Sequence, residues 1–254
     1  MNVIYNEDCL ITLGRMGKGD FNVVLTSPPY NMTKRKGGIS DTGRYDVYVD
    51  WKTDTEYIDW LTNIFNLFNE KMSENGVVLF NLSYSIENPL LPFKVIVELC
   101  EKTNFSLVDT IIWEKNSGLP FPANPRRLSR KCEYVFVLVR KNEIDTFITN
   151  RKVKSVSEKT GQKYYEVAYN YVKAANNDSK CSLNQATYSS DLCKQLLTIY
   201  APLGTVVYDP FMGTGTTAVA CVDLGLQYIG SEISKAQCEY AEKRIKEEKD
   251  IQNG

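Results

Sequence analysis

The chain has 254 residues, of which 43% are hydrophobic and 24% are charged, and its net charge is −1. This composition is typical of a globular domain with a full core, and no run of about 18 apolar residues predicts a membrane span. The chain has no histidine, which excludes Ser-His-Asp triads, histidine acid–base chemistry and most zinc catalysis.

Apolar runs alternate with amphipathic stretches along the chain, which predicts an α/β fold with helices on both faces of a sheet. The predicted strands are Val3–Tyr5, Val23–Thr26, Val77–Leu82, Ser106–Trp113, Glu133–Arg140, Thr205–Asp209 and Tyr228–Glu232. The predicted helices are Thr55–Met72, Pro92–Thr103, Ser190–Tyr200, Thr216–Asp223 and Lys235–Lys249. The fourth and fifth strands have no helix between them, which predicts an antiparallel hairpin at a sheet edge.

A stiff turn follows the second predicted strand. Ser27, Pro28, Pro29 and Tyr30 come directly after the apolar run NVVL. Each proline fixes its own φ angle and excludes the α region for the residue before it, so the turn has little conformational freedom. Such a turn can hold oxygen acceptors and an aromatic ring in fixed positions. The alternative is a rigid surface turn with a tyrosine in the core.

A glycine-rich turn follows the sixth predicted strand. Asp209 ends that strand, Gly213 and Gly215 form the turn, and a helix begins at Thr216. The glycines permit a sharp bend and close approach of a ligand, and the helix N-terminus offers N–H groups. Glu232 ends the next strand, where an acid can accept both hydroxyls of a ribose. The pattern predicts half of a nucleotide site without a phosphate loop, or else a purely structural turn.

The two motifs together resemble those of the amino-methylating DNA methyltransferases. The sequence SPPY at 27–30 matches that family's Asp/Asn/Ser-Pro-Pro-Tyr, and DPFMGTGT at 209–216 matches its Asp-Pro-Phe-x-Gly-x-Gly-Thr. The catalytic motif precedes the cofactor motif, which is the circularly permuted order of the family's β class. The chain therefore resembles a β-class S-adenosylmethionine-dependent DNA amino-methyltransferase, of the cytosine-N4 and adenine-N6 family, over nearly its whole length.

This resemblance implies a Rossmann-like, seven-stranded methyltransferase sheet in a single domain over residues 1–254, with S-adenosylmethionine as methyl donor and no metal. The catalytic residues that it implies are Ser27, Pro28, Pro29 and Tyr30. The cofactor-binding residues that it implies are Asp8 at the adenine, Phe211 beside the cofactor, Glu232 at the ribose, and Asp209, Gly213, Gly215, Thr216 and Thr217 in or next to the turn. From the residues alone, Asp8 can also be a helix cap and Phe211 plain core. The His-Pro and Lys-Pro pairs of many family members are missing from LNQATYSSDLCKQLL, so no contact is carried over there.

The implied reaction needs no histidine. The exocyclic amine of cytosine or adenine is a poor nucleophile, but hydrogen-bond acceptors can direct its lone pair toward an activated methyl group. Ser27 Oγ and the Pro28 carbonyl are the predicted acceptors. Tyr30 is the predicted stacking surface for a flipped base, a contact worth about 1–3 kcal/mol. A neutral serine in the first position favours cytosine N4, with adenine N6 as the alternative.

Basic residues are concentrated in the middle of the chain. Between Trp113 and Lys163 there are twelve basic and five acidic residues, a net charge of +7. The predicted contacts to phosphates of double-stranded DNA are Lys34, Arg35, Lys36, Arg126, Arg127, Arg130 and Lys131. The polar stretch Asn142–Asn184 is predicted to be a target-recognition insertion. A mixed, solvated surface is the alternative.

Two further functions fit parts of these patterns. One is a catalytically silent nucleic-acid-binding module with the same fold. The other is methylation of an amino group in RNA or in a protein glutamine. The seven scattered cysteines form no C-x-x-C pair, and the first ten residues have no basic segment, so reduced thiols and a cytoplasmic location are expected, in a bacterium or a host of its phage or virus. The resemblance also leaves a homodimer open.

Overall fold

The computed structural model of the protein describes residues 1–31, 52–85, 88–119, 125–126, 128–178, 181, 183–184 and 187–253. In this part of the chain, no helix combines the length and the apolar composition needed to cross a membrane. Four predicted DNA-contacting residues lie outside the described residues: Lys34, Arg35, Lys36 and Arg127.

Strands and helices alternate along most of the chain. The strands are β1 (Asn2–Tyr5), β2 (Phe21–Thr26), β3 (Met72–Leu82), β4 (Phe105–Leu119), β5 (Arg130–Arg140), β6 (Val153–Val156), β7 (Lys163–Tyr165), β8 (Tyr171–Ala174), β9 (Val206–Asp209) and β10 (Gln227–Ser231). The helices are α1 (Cys9–Arg15), α2 (Asp54–Lys71), α3 (Leu91–Lys102), α4 (Ser190–Tyr200), α5 (Thr216–Asp223) and α6 (Lys235–Asn253).

Eight of these strands form one sheet, in the order β1-β10-β9-β2-β3-β5-β4-β8. Neighbouring strands are parallel, except that β5 runs antiparallel to both β3 and β4. The predicted Rossmann-like α/β fold and the antiparallel β4–β5 pair are therefore confirmed. The sheet has eight strands instead of the predicted seven, and the hairpin is not at its edge, because β8 pairs with β4 on the outer side. Strands β6 and β7 form a separate two-stranded sheet.

Helices cover both faces of the sheet, because strands buried on two sides need an apolar layer on each. On one face, α4 and α5 pack over side chains such as Val207, Val137 and Leu25. On the other face, α1, α2 and α3 pack over side chains such as Val24 and Phe80. Two hydrophobic cores therefore hold the central strands rigidly in place.

The connections that follow β2 and β9 run in opposite directions across the sheet. Val23 pairs with Val207 and Val24 with Tyr208 in parallel register. From β2 the chain continues to β3, and from β9 it continues to β10, on the other side. Such a switch point leaves a crevice at the carboxyl ends of the two strands, which is where open α/β sheets bind ligands. Both motifs found in the sequence begin there.

Several elements are absent from the sequence-based prediction. Helix α1 has seven residues, with the sequence CLITLGR. Its two β-branched residues and one glycine are poor helix formers, and a run this short gives little helical periodicity. Strand β8 buries Val172 and Ala174 but exposes Tyr171 and Lys173, so its apolar side has two residues. Strands β6 and β7 are short and fully exposed, so neither has a buried apolar side.

A buried arginine closes the end of α2. The guanidinium of Arg140 donates to the carbonyls of Asn69 at 3.0 Å, Met72 at 2.5 Å and Ser73 at 2.8 Å. It also pairs with Glu143 at 3.1 Å. The carbonyls at a helix C-terminus need donors, and Arg140 supplies them from the neighbouring strand.

We predict that Arg140→Met lowers the free energy of unfolding by about 3–5 kcal/mol, because Glu143 becomes a buried carboxylate without its partner. Urea denaturation followed by circular dichroism measures this. The matched control is Lys243→Met, which removes an exposed ion pair with Glu247 and is expected to change stability by less than about 0.5 kcal/mol. Similar losses of unfolding free energy in the two variants would contradict the role of Arg140 as the buried partner of Glu143.

Candidate active site

A cavity of about 230 Å³ opens at the carboxyl ends of β2, β9 and β10. Ser27 and Pro29 line it from the end of β2, and Glu232 lines it from the end of β10. The turn after β9 contributes residues 210–214, and Asp8 contributes from the start of α1. The two sequence motifs, separated by about 180 residues, therefore border one cavity.

The Ser-Pro-Pro-Tyr turn is fixed from behind. Pro28 and Pro29 are buried, whereas Ser27 and Tyr30 are partly exposed. The hydroxyl of Tyr57 on α2 donates to the Pro29 carbonyl at 2.7 Å. Because the prolines restrict the backbone and Tyr57 holds one carbonyl, the Ser27 side chain is presented to the cavity in a defined position.

Asn31 fixes the residue that follows this turn. Its side-chain amide donates to the Lys52 carbonyl at 2.8 Å, and its Oδ1 accepts from the Lys52 amide at 2.9 Å. Its φ angle is 51°, a left-handed conformation that asparagine adopts more readily than most residues. Asn31 therefore joins the Ser-Pro-Pro-Tyr turn to the start of α2, and Lys52 also lines the cavity.

The Tyr30 hydroxyl belongs to a polar cluster. It accepts from Ser27 Oγ at 3.0 Å, and Asn81 Oδ1 and Glu133 Oε2 lie 2.8 Å and 2.9 Å away as acceptors. Glu133 also pairs with Lys115 on β4. The ring of Tyr30 packs against the core on the α2 side of the sheet. Among the described residues, Pro28 and Tyr30 do not themselves line the cavity, so Tyr30 stands behind Ser27.

Asp209 connects the two motifs. Its carboxylate accepts from Thr26 Oγ1 at 2.7 Å, Thr217 Oγ1 at 2.6 Å, Tyr188 Oη at 3.1 Å and the Phe211 amide at 3.0 Å. Burial raises the pKa of this carboxyl above its ordinary value, and the hydrogen bonds partly offset the rise. Burial and the nearby Asp209 also raise the pKa of Tyr188 well above its ordinary value, so Tyr188 stays a neutral donor.

The glycine-rich turn is shaped by its backbone and by Glu232. Gly213 and Gly215 have φ angles of 53° and 83°, which favour glycine. Glu232 Oε2 accepts from the Gly213 amide, and Oε1 accepts from the Ser234 amide, both at 2.8 Å. Both carboxylate oxygens of Glu232 therefore hold the backbone of this turn.

Arg244 on α6 holds the same turn from the other side. Its guanidinium donates to the Thr214 carbonyl at 2.9 Å and to Thr216 Oγ1 at 3.2 Å, and it pairs with Asp178 at 2.8 Å. Thr216 lines the cavity, whereas Thr217 is fully buried and faces Asp209. Arg244 lies in a charged helix of ordinary composition, and no sequence signal distinguishes it.

Asp8 and Phe211 each make a structural contact and also line the cavity. Asp8 caps α1 by accepting from the Leu10 amide at 2.8 Å, and it also lines the cavity. Phe211 packs against Trp60 with a centroid distance of 5.3 Å, and both rings line the cavity. Trp60 is absent from the predicted site residues, because its helical spacing marks it only as part of the core-facing side of α2.

The predicted DNA-contacting residues that the structure describes differ in their surroundings. Arg126 is exposed. Arg130 is partly buried, donates to the Tyr84 carbonyl and lies with its guanidinium 5.1 Å from the centre of the Tyr84 ring. Lys131 pairs with Glu114 at 2.5 Å. Phosphate contact by these residues stays a prediction.

Comparison with known proteins places the chain in a family. A sequence model described as "DNA methylase", for N6 and N4 methyltransferases, matches residues 21–243. The orphan methyltransferase M.BamHII of Bacillus amyloliquefaciens is 29% identical over 91% of this chain and 91% of its own length. The type II methyltransferase M.ScaI of Streptomyces caespitosus is 23% identical over 97% of this chain and 82% of its own length.

Solved structures share the fold. The cytosine-N4-specific PvuII DNA methyltransferase has a TM-score of 0.72 and 18% identity, over 99% of this chain and 91% of its own. A complex of M1.HpyAVI with S-adenosylmethionine (SAM) has a TM-score of 0.60 and 21% identity, over 96% of this chain and 100% of its own.

We predict that Gly215→Ala is more destabilising than Gly225→Ala, by about 1–3 kcal/mol. Both glycines have positive φ angles, but a Cβ atom at Gly215 would lie 2.7 Å from Cβ of Ala241, whereas Gly225 has open space within 4 Å. Both substitutions therefore place a side chain at a positive φ angle, and only Gly215→Ala also adds a steric clash. Urea denaturation of the two variants measures the difference, and equal stability would show that α6 does not press on the turn.

Proposed function

Because the chain belongs to the DNA methylase family of N6 and N4 methyltransferases, we propose that it methylates the N4 amino group of a flipped cytosine at a specific DNA site. S-adenosylmethionine is the methyl donor of this family. The observation that carries the proposal is that Ser27 lines the same cavity as Glu232 and the Gly213 turn. An amino group beside Ser27 can therefore meet an activated methyl group inside one enclosed space.

The cavity walls fit this donor. S-adenosylmethionine supplies a methyl group that a sulfonium centre has already activated. We assign Glu232 to its ribose hydroxyls, since this carboxylate lines the cavity from the end of β10, and Asp8 to its adenine edge. Phe211 and Trp60 offer aromatic surfaces to it. The backbone near Gly213 and the N-terminus of α5 offer N–H groups and a positive dipole end to its amino-acid portion.

The Ser27 hydroxyl favours a neutral amine as substrate. Its hydrogen atom is directed to Tyr30 Oη at 3.0 Å, so its lone pairs are available to the cavity. An acceptor in this position draws a hydrogen atom of the base amino group and directs the nitrogen lone pair toward the methyl group. Ser27 carries no charge. Cytosine and adenine both present an amino donor beside a ring-nitrogen acceptor, so the choice of cytosine rests on the serine in the first position of the motif.

We assign recognition of the DNA sequence to residues 142–184. Within this stretch, the β6–β7 hairpin is exposed and combines basic residues with aromatic rings. Arg151 lies 5.7 Å from the centre of the Tyr165 ring, and Tyr164 is also exposed. Basic side chains bind phosphates and exposed aromatic rings contact bases, so this hairpin has the chemistry of a DNA-binding surface. A homodimer stays an expectation from the family.

Expression in a bacterial host without DNA methylation tests the proposal. We predict that sequencing of the host DNA finds N4-methylcytosine at one recurrent sequence. N6-methyladenine at one sequence would contradict the choice of cytosine but keep the reaction class. Unmodified DNA, with folded protein present, would support a silent binding module instead.

Two variants serve as controls for the assigned roles. Tyr30→Ala is expected to remove the modification while the affinity for S-adenosylmethionine changes little, because the ring lies behind Ser27 and outside the cavity. Glu232→Ala is expected to weaken that affinity strongly, since it removes the ribose acceptor and the partner of the Gly213 amide. Isothermal titration calorimetry measures both affinities. Equal losses of affinity in the two variants would contradict the assignment.

A further inference from the structure

A chain of hydrogen bonds leads from the catalytic turn to a carboxylate on β5. Ser27 Oγ donates to Tyr30 Oη at 3.0 Å, and Tyr30 Oη lies 2.9 Å from Glu133 Oε2. Glu133 is part of the strand EYVFVLVRK and lies outside the cavity lining and both sequence motifs. Its side chain is largely buried, at 12% relative exposure.

The direction of this chain follows from donor and acceptor capacity. Tyr30 has one hydroxyl hydrogen and two possible acceptors, Asn81 Oδ1 and Glu133 Oε2. A hydrogen bond to a charged acceptor is stronger than one to a neutral amide, so the hydrogen is directed to Glu133. Asn81 Nδ2 donates to the Tyr134 carbonyl at 3.0 Å, which fixes the orientation of the amide. Tyr30 Oη can then accept the Ser27 hydrogen.

The proposed methyl transfer creates a proton that must leave. As the amino nitrogen forms its bond to the methyl carbon, the carbon–sulfur bond breaks and its electron pair stays on sulfur. The nitrogen then carries a positive charge and one hydrogen too many. A serine hydroxyl alone is too weak a base to keep that proton, and the chain has no histidine.

We propose that Glu133 is the terminal proton acceptor of this site, acting through Tyr30 and Ser27; the inference rests on the proposed methyl transfer. The nitrogen gives its proton to Ser27 Oγ, Ser27 gives its own to Tyr30 Oη, and Tyr30 gives its own to Glu133 Oε2. The result is a neutral amine, unchanged Ser27 and Tyr30, and a neutral Glu133 that later releases the proton to water. Glu133 is thus a positioning residue that also fixes the Ser27 lone pairs toward the substrate.

The surroundings of Glu133 suit this role. The charged or titratable groups that face it among the described residues are Lys115 on β4 and Tyr30, while Asn81 on β3 is neutral. Lys115 pairs with Oε1 of Glu133. The other oxygen, Oε2, faces Tyr30 and is the one that receives the proton.

The test uses Glu133→Gln and Tyr30→Phe. Each breaks the chain, and Tyr30→Phe keeps the aromatic ring in its packing against the core. We expect a 10²- to 10⁴-fold loss in the single-turnover rate of methyl transfer to unmethylated host DNA, the range of general acid–base catalysis. The double variant is expected to be no slower than Tyr30→Phe, because the same chain is already broken. The matched control is Glu114→Gln, which breaks the ion pair with Lys131 on the same strand pair and should change the rate less than about twofold.

The pH dependence separates proton acceptance from mere support of the ring. The wild-type rate is expected to fall at low pH, and this fall should be absent from both single variants, because neither has the complete hydrogen-bond chain. Calorimetric affinity for S-adenosylmethionine and the unfolding midpoint should stay near the wild-type values. An active wild type with an unaffected Glu133→Gln, or additive losses in the double variant, would overturn this inference alone. A wild type that binds the cofactor but never methylates DNA would overturn the proposed function and the inference with it.

Discussion

The buried carboxylate of Asp209 is the interaction on which the site depends. It accepts hydrogen bonds from Thr26 at the end of β2, from Thr217 on α5 and from Tyr188 before α4. Three segments that are far apart in the chain therefore meet at one side chain. Because a buried acceptor without donors is costly, this arrangement fixes the relative positions of the Ser-Pro-Pro-Tyr turn and the glycine-rich turn.

Two consequences follow from this junction. Thr26 directly precedes Ser27, so the hydrogen bond from Thr26 to Asp209 fixes the position of the residue from which the Ser-Pro-Pro-Tyr turn begins. The Phe211 amide donates to the same carboxylate, so the start of the glycine-rich turn is fixed relative to the same side chain. Each turn is then secured a second time on its outer side, by Tyr57 on the Pro29 carbonyl and by Arg244 on the Thr214 carbonyl. The chemistry that we propose needs such fixed acceptors, since it has no histidine to move protons.

The sequence predicts the local features of this site better than its long-range ones. Restriction or freedom of the backbone is a property of the residue itself, and this is how proline acts at Pro28 and Pro29 and glycine at Gly213 and Gly215. The structure brings the two turns that contain them to one cavity. The sheet and the β4–β5 pair were likewise predictable, because their apolar runs are long. Short or half-exposed elements such as α1 and β8 leave no comparable pattern.

The supporting side chains were not predictable for a different reason. Glu133, Asn81, Tyr188 and Arg244 act through partners that are from 21 to 103 residues away along the chain. From the sequence alone, Tyr188 before α4 cannot be distinguished from a core residue, and Glu133 in β5 cannot be distinguished from an ordinary surface charge. Their roles depend on strand order, which places β9 beside β2 and β5 beside β3. That order becomes visible only in three dimensions.

The most direct test of this account is the single-turnover methyl transfer rate of Thr26→Val, measured together with its affinity for S-adenosylmethionine. Valine keeps the volume of this fully buried side chain but removes its hydrogen bond to Asp209. We expect the affinity to stay within about threefold and the rate to fall about 100-fold, because a shift of the catalytic turn by about 1 Å misplaces the acceptors. A wild-type rate in this variant would contradict the claim that Asp209 holds the two turns in register.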